Sequence, residues 1–248
     1  MIFRSIFEKI STVKRRPVFR QSSGHSRHSR KVYGCAILGT VCLLASFLLI
    51  SAAGAAYAAG GGALLGDILN KTEAKYQQIH AFTATFRQAT TSSAAGTLTP
   101  GEASGRLYYS KPRQMRWEYE KPEPQVFIAN NHYAWLYALS ENQVSLFDAK
   151  KLFASPLAQT FFDGAVGLKN HFEITLDSPQ STKSSAVLKL IPKQEDPNIK
   201  ILFLWIDLQS YRITRIDSQD ILGNTNRIIL ESLSQVPSLD QKLFQLEV

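Results

Sequence analysis

The sequence predicts an α+β fold: one large, curved antiparallel sheet with a few helices laid against it. Three observations predict it. From Phe82 onward apolar residues recur with a period of two in many short runs, the mark of half-buried strands. These runs follow one another through short turns, which favours an antiparallel meander over parallel βαβ units with their long crossovers. Helical spacing is confined to the stretch before Phe82 and a short insert near Pro156.

In chain order, Leu65, Ile68, Leu69, Tyr76 and Ile79 recur at helical spacing, with Asp67, Lys71, Glu73 and Lys75 elsewhere on the wheel. Residues 64–79 are therefore predicted as an amphipathic helix, following a flexible start at Gly60 to Gly62. At Phe82 the period changes: Phe82, Ala84 and Phe86 alternate with Thr83, Thr85 and Arg87. A Ser/Thr/Gly/Pro-rich loop at 90–101 leads to strands at 105–110, 114–120, 125–129, 133–139 and 144–147, with Asn130-Asn131-His132 as a hairpin turn. Ser155-Pro156 before LAQTFFDG reads as an N-cap, a first-turn proline and a glycine stop. Leu157, Phe161 and Phe162 give that short helix an apolar face. Strands resume at 172–176, 186–191, 199–208, 211–218 and 226–233, the last two joined by a turn at Leu222-Gly223-Asn224. A closing segment, SLDQKLFQLEV, offers Leu239, Leu243, Phe244 and Leu246 for packing.

The formal charge of +8 belongs to one end of the chain. Of the 28 basic and 20 acidic side chains, nine and one precede Ala59, so 19 of each remain after it. The body carries no overall field for a polyanion, which argues against nucleic acid. The leader has a basic segment ending at Lys31, an uncharged apolar run at 32–50 and an A-x-A site at Ala56-Tyr57-Ala58. That order reads as a secretory signal peptide cut after Ala58, or as a membrane anchor if it is not cut. The expected organisation is thus a leader at 1–58 and a single domain at 59–248, 190 residues with a real core. Both cysteines, Cys35 and Cys42, lie in the leader, so the domain is expected to hold neither disulfide nor thiolate.

Catalytic and metal-binding patterns are missing. There is no G-x-S-x-G, Walker loop, H-E-x-x-H or paired-cysteine motif. His80, His132 and His171 stand apart at a helix end, a turn and a strand start, and most acids fall at turns or caps. Neither an enzyme, a metal nor a cofactor is expected. What stands out is apolar surface: the aromatic residues are numerous, and a curved sheet thinly covered by short helices leaves room for an apolar ligand on its concave face. In SKPRQMRWEYEKP, Met115, Trp117 and Tyr119 share one face of a strand while Arg116 and Glu118 share the other, which suits a pocket wall better than a basic groove.

Ordered motifs then carry a likeness. F-x-A-x-F-x-Q spans Phe82 to Gln88, G-x-L-Y-Y-S-K-P Gly105 to Pro112, and M-R-W-E-Y Met115 to Tyr119. N-x-x-Y-A-W-L-Y follows at Asn130 to Tyr137, S-P-L at Ser155 to Leu157, D-x-x-G-N-T at Asp220 to Thr225 and S-L-D-Q-K-L-F at Ser238 to Phe244. In this order and spacing the chain resembles the LolA family of outer-membrane lipoprotein carriers, from about residue 64 to 246. The resemblance implies an unclosed antiparallel β-barrel whose hydrophobic hollow is covered by short lid helices, here 64–79 and 156–162. It implies a monomeric periplasmic chaperone that takes acylated lipoproteins from an inner-membrane ABC transporter to an outer-membrane LolB-like receptor. The acyl-chain pocket would be lined by Phe86, Leu107, Tyr109, Met115, Trp117, Tyr119, Trp135, Leu157 and Phe161.

Lys111 departs from the family pattern. LolA proteins often place arginine there, tying barrel to lid; a lysine lacks the planar, forked contact. Lys111 is the latch candidate, with Arg113 or Arg116 as substitutes and a solvated lysine as the plain alternative. Two other classes of function stay open beside the carrier. One is a LolB-like receptor or envelope sensor of the same fold binding another apolar ligand; the other is a cleft enzyme acting on lipid or glycan.

Overall fold

A computed structural model describes residues 51–93, 101–153, 167–196 and 198–246. The described residues form eleven strands in a single antiparallel sheet: β1 (Ala81–Thr91), β2 (Gly101–Ser110), β3 (Gln114–Lys121), β4 (Gln125–Ala129), β5 (Tyr133–Ala138), β6 (Gln143–Asp148), β7 (Phe172–Leu176), β8 (Ser185–Pro192), β9 (Ile201–Asp207), β10 (Ile213–Gln219) and β11 (Thr225–Val236). Their spatial order is β6-β5-β4-β3-β2-β1-β11-β10-β9-β8-β7. Every neighbour but one is also a neighbour in sequence. The exception is β1 with β11, where Phe86 faces Leu230 and Gln88 faces Ile228. The sheet is thus two meanders joined at one long-range seam, and β6 and β7 end it as edges. This is the unclosed antiparallel barrel, with α+β character, that the sequence and the resemblance lead one to expect.

The long helix α1 (Ser51–Gln78) precedes β1, and the short α2 (Ala149–Phe153) and α3 (Leu168–His171) lie between β6 and β7. A 3₁₀ turn, Gln241–Phe244, closes the fold. Helix α1 begins well before residue 64 and runs through Gly60 to Gly62, where the sequence suggests a flexible start. The alanines around those glycines have the highest helix propensity, while each glycine costs about 1 kcal/mol against alanine. The short helix expected at 156–162 lies outside the described residues, as do the apolar run and most of the leader.

One face of the sheet holds the core. Inward residues of the second meander are aliphatic apart from Phe172 on β7: Leu188, Leu190, Leu202, Leu204 and Ile206 are entirely buried, and Ile216 and Ile228 nearly so. Helix α1 packs against this half. Tyr76 Oη accepts a hydrogen bond from the Ile213 amide at 3.1 Å, Lys169 Nζ donates to Asn70 Oδ1 at 3.0 Å, and Lys71 Nζ lies 5.3 Å over the Tyr211 ring. Burial pushes the Tyr76 hydroxyl up to about 12, because a phenolate there would lose its water.

Gly105 on β2 lies directly against the backbone of β3. A Cβ there would lie 1.8 Å from the carbonyl oxygen of Glu118, so only glycine fits. The register shifts at this point, and Phe86 on β1 stands opposite the bare backbone. Its ring fills the space above, edge-on to Trp117 at 4.7 Å and to Tyr119 at 5.0 Å.

Candidate functional site

The first meander builds its inner face in three rows that run across the strands. The row nearest the end of α1 holds Phe82, Tyr109, Met115, Ala129, Ala134 and Phe147. The middle row holds Ala84, Leu107, Trp117, Phe127, Leu136 and Ser145. The third holds Phe86, Gly105, Tyr119, Gln125, Ala138 and Gln143, with Gln88 and Thr90 further along β1. Directly paired residues in an antiparallel sheet project to the same side, so register alone assigns these faces. The rows pass from apolar to amide-bearing toward the turns at 122–124 and 139–142.

A hollow of about 710 Å³ opens at that third-row end. Phe127, Leu136 and Phe147 form its apolar depth, and Tyr119, Gln88, Thr90, Gln125, Gln143 and Ser145 its polar side. Pro122, Pro124, Ser140 and the exposed carboxylates of Glu102, Glu123 and Glu141 stand around its mouth. The volume lies within the range of small-ligand pockets.

Six of the pocket residues picked from sequence meet on this face. Phe86, Leu107, Tyr109, Met115, Trp117 and Tyr119 are all buried and contiguous through the rows. Among the six, Tyr119 reaches the open hollow, and the others form the packed wall behind it. Burial drives the Tyr119 hydroxyl well above the usual tyrosine value. Trp135 is placed elsewhere: it pairs with Ile128, which pairs with Arg116, so it projects from the outer face, half-buried beside Tyr133. Every second residue of β5 is apolar on both faces, and the pairing decides which side Trp135 takes. Leu157 and Phe161 lie outside the described residues. His80 follows α1, His132 lies exposed in the β4–β5 turn and His171 ends α3. Among the described residues no group of three or more His, Cys, Asp or Glu could hold a metal.

Lys111 holds α1. Its Nζ donates to the carbonyl oxygens of Tyr76 at 2.7 Å and Gln77 at 3.1 Å, in the last turn of the helix, where carbonyls have no helical partner. A cation there also faces the negative end of the helix dipole. Partial burial draws the lysine pKa down, while the two acceptors reward the charged form. Of the suggested substitutes, Arg116 instead pairs with Glu118 at 2.6 Å and donates to the Leu243 carbonyl at 3.2 Å, fastening the closing segment. The Arg113 guanidinium stacks 5.2 Å over Phe153.

The sequence reading passes over a buried polar chain on the inner face. Tyr119 Oη donates to Gln88 Oε1 at 3.0 Å, Gln88 Nε2 to Asn226 Oδ1 at 2.5 Å, and Thr90 Oγ1 to the same oxygen at 3.2 Å. Gln88 could have been found by extending the Phe82-Ala84-Phe86 alternation one more step. Asn226 carries no such signal, since only the β1–β11 seam brings it near.

These features define a class: an unclosed barrel that keeps one half of its inner face packed and offers an apolar hollow in the other. Residues 77–247 match the sequence model of the family described as outer membrane lipoprotein carrier protein LolA. The chain belongs to the LolA family. It is 27% identical over 147 residues to an outer-membrane lipoprotein carrier protein of Methylococcus capsulatus, covering 58% of this chain and 67% of that one. A protein of the same description from Methylobacillus flagellatus is 24% identical over 182 residues, 73% of this chain and 85% of its own. Among solved structures, a LolA superfamily protein from Nitrosomonas europaea overlays with a TM-score of 0.42 at 11% identity, covering 73% of this chain and 97% of that one.

Proposed function

We propose that this chain is a periplasmic carrier that shelters the acyl chains of lipoproteins in the hollow of its first meander. It takes them from an inner-membrane ABC transporter and yields them to an outer-membrane LolB-like receptor. In this reading the leader is removed after Ala58, the working form is a monomer, and the protein binds and releases its cargo without catalysing a reaction. The observation that carries the reading is the 710 Å³ hollow with apolar depth and open mouth, in a chain of this family.

Energetics favour partial cover. Burying about 45 methylenes at ~0.8 kcal/mol each would exceed 30 kcal/mol, beyond the ~18–21 kcal/mol at which noncovalent affinity saturates. A carrier gripping three chains fully could not release them. A hollow open along its mouth leaves part of the chains outside its grip, so delivery to a tighter receptor runs downhill.

The test is release from spheroplasts making a tagged lipoprotein. Protein purified from cells expressing the full-length chain is added, and acylated cargo is expected in the supernatant bound to it, unacylated cargo not. Ser145→Phe, which fills the hollow from an inward position, should cut release at least tenfold while the unfolding midpoint stays put. No release by folded wild-type protein would sink the carrier reading.

A further inference from the structure

The buried chain of amides and hydroxyls at the mouth of the hollow is richer in donors than its own members can satisfy. Gln88 is 3% exposed, Tyr119 5% and Asn226 9%. Their two amide oxygens are already taken, Gln88 Oε1 by Tyr119 and Asn226 Oδ1 by both Gln88 and Thr90. Asn226 Nδ2 lies out of reach of water and has no hydrogen-bond partner among the described residues. Buried amide hydrogens are rarely left without an acceptor, because losing water without replacement is costly. The chain is one acceptor short.

Position says what could supply it. Gln88, Thr90 and Tyr119 line the hollow at the row next to the mouth, and Asn226 is bonded to two of them. An acyl chain lying in the apolar depth against Phe127, Leu136 and Phe147 would carry its first polar group at this level. That group must accept and need not donate.

We propose that Gln88, Asn226, Thr90 and Tyr119 form a subsite for an ester carbonyl at the head of an acyl chain. This deepens the acyl-chain reading of the hollow and rests on it. An entering carbonyl oxygen takes the second Nε2 hydrogen of Gln88 or the Thr90 hydroxyl hydrogen, and a Thr90 oxygen turned this way is free to accept from Asn226 Nδ2. The subsite fixes how deep the chains sit and which end faces out. It discriminates an ester from an ether, since the ether lacks the carbonyl and is a poor acceptor; a site that uses hydrogen bonds rejects analogues that leave them unmade.

The test compares dipalmitoylglycerol with its diether analogue, dihexadecylglycerol, which have the same chain length and differ in the carbonyls. Binding to the full-length-expressed protein is read by competition against a fluorescent fatty acid. Wild type is expected to hold the diester about tenfold tighter, the scale of one or two well-made hydrogen bonds. In the double variant Gln88→Met/Asn226→Leu the diester should lose its preference over the diether. The double variant removes both amides but leaves the Tyr119 and Thr90 hydroxyls without their acceptors; should it not fold, Thr90→Val removes one donor alone and should reduce the preference severalfold. Equal wild-type binding of the two lipids overturns the subsite and leaves the apolar hollow standing. So does a preference that survives the double variant. Failure of wild type to bind either lipid overturns the acyl-chain reading and the subsite with it.

Discussion

Leu204 and Leu136 both point inward from strands of the same sheet, yet Leu204 is wholly buried and Leu136 only half so. The difference lies in what each half of the molecule does with its apolar residues. Between β7 and β10 the inner face is aliphatic apart from Phe172, its side chains are buried together, and α1 seals it through Tyr76, Asn70 and Lys71. Between β1 and β6 a packed aromatic cluster occupies its middle, and the side chains of β5 and β6 are left partly uncovered. Side chains in the first half are as tightly packed where the rings meet, and the hollow opens where small and amide side chains (Ala138, Gln125, Gln143 and Ser145) take over. One half supplies stability, and the other holds the hollow.

The same truncation in the two halves should break or confirm this contrast most clearly. Leu204→Ala is expected to cost about 3 kcal/mol, within the range for leucines deleted from a closed core, read from urea unfolding midpoints. Leu136→Ala should cost about 1 kcal/mol, because its cavity merges with an existing one. Equal costs would mean that the hollow is as tightly packed as the core.

Next comes alkali, which acts on one buried tyrosine in each half. Tyr76 in the sealed half and Tyr119 beside the hollow both keep their protons above the ordinary value of 10. A folded-state pKa raised above the unfolded one stabilises fully below the unfolded value and is lost as pH rises through the folded value. Stability should hold level up to about pH 10 and then fall by roughly 1.4 kcal/mol per unit toward pH 12 for each such group. Tyr76→Phe should remove its part of that decline, measured as denaturant midpoints at successive pH. An unchanged slope would show that α1 leaves Tyr76 accessible.

The smallest effect sharpens where the halves meet. Lys111 ties the end of α1, which packs on one half, to the β2–β3 turn of the other. Lys111→Met should cost about 1 kcal/mol, discounted for its exposure, and hasten amide exchange in the last turn of α1 more than in β9. Uniform exchange would make the lysine an ordinary surface residue.

Much of this was legible in the residues. The strands from β3 to β10 follow the period-two runs closely, and Met115, Trp117 and Tyr119 share the face that their spacing requires. Trp135 defeats the same logic because its neighbours are apolar on both sides, so alternation carries no sign until Ile128 is known to be its partner. Lys111 was legible as a candidate by its place in a motif, but its acceptors are backbone carbonyls about 35 positions away, and every residue has a carbonyl. Asn226 was not legible at all. Its value comes from Gln88, 138 positions earlier, and from a network that only the assembled sheet completes.

The seam between β1 and β11 also governs when the molecule can exist. Phe86 and Leu230 are separated by most of the domain, and β1 has no partner on that side until β11 arrives. Closing so long a loop costs entropy before any contact repays it, which makes this pairing late and slow. Until that pairing forms, the two meanders are separate sheets, and one edge of β1 offers its backbone to whatever strand reaches it first.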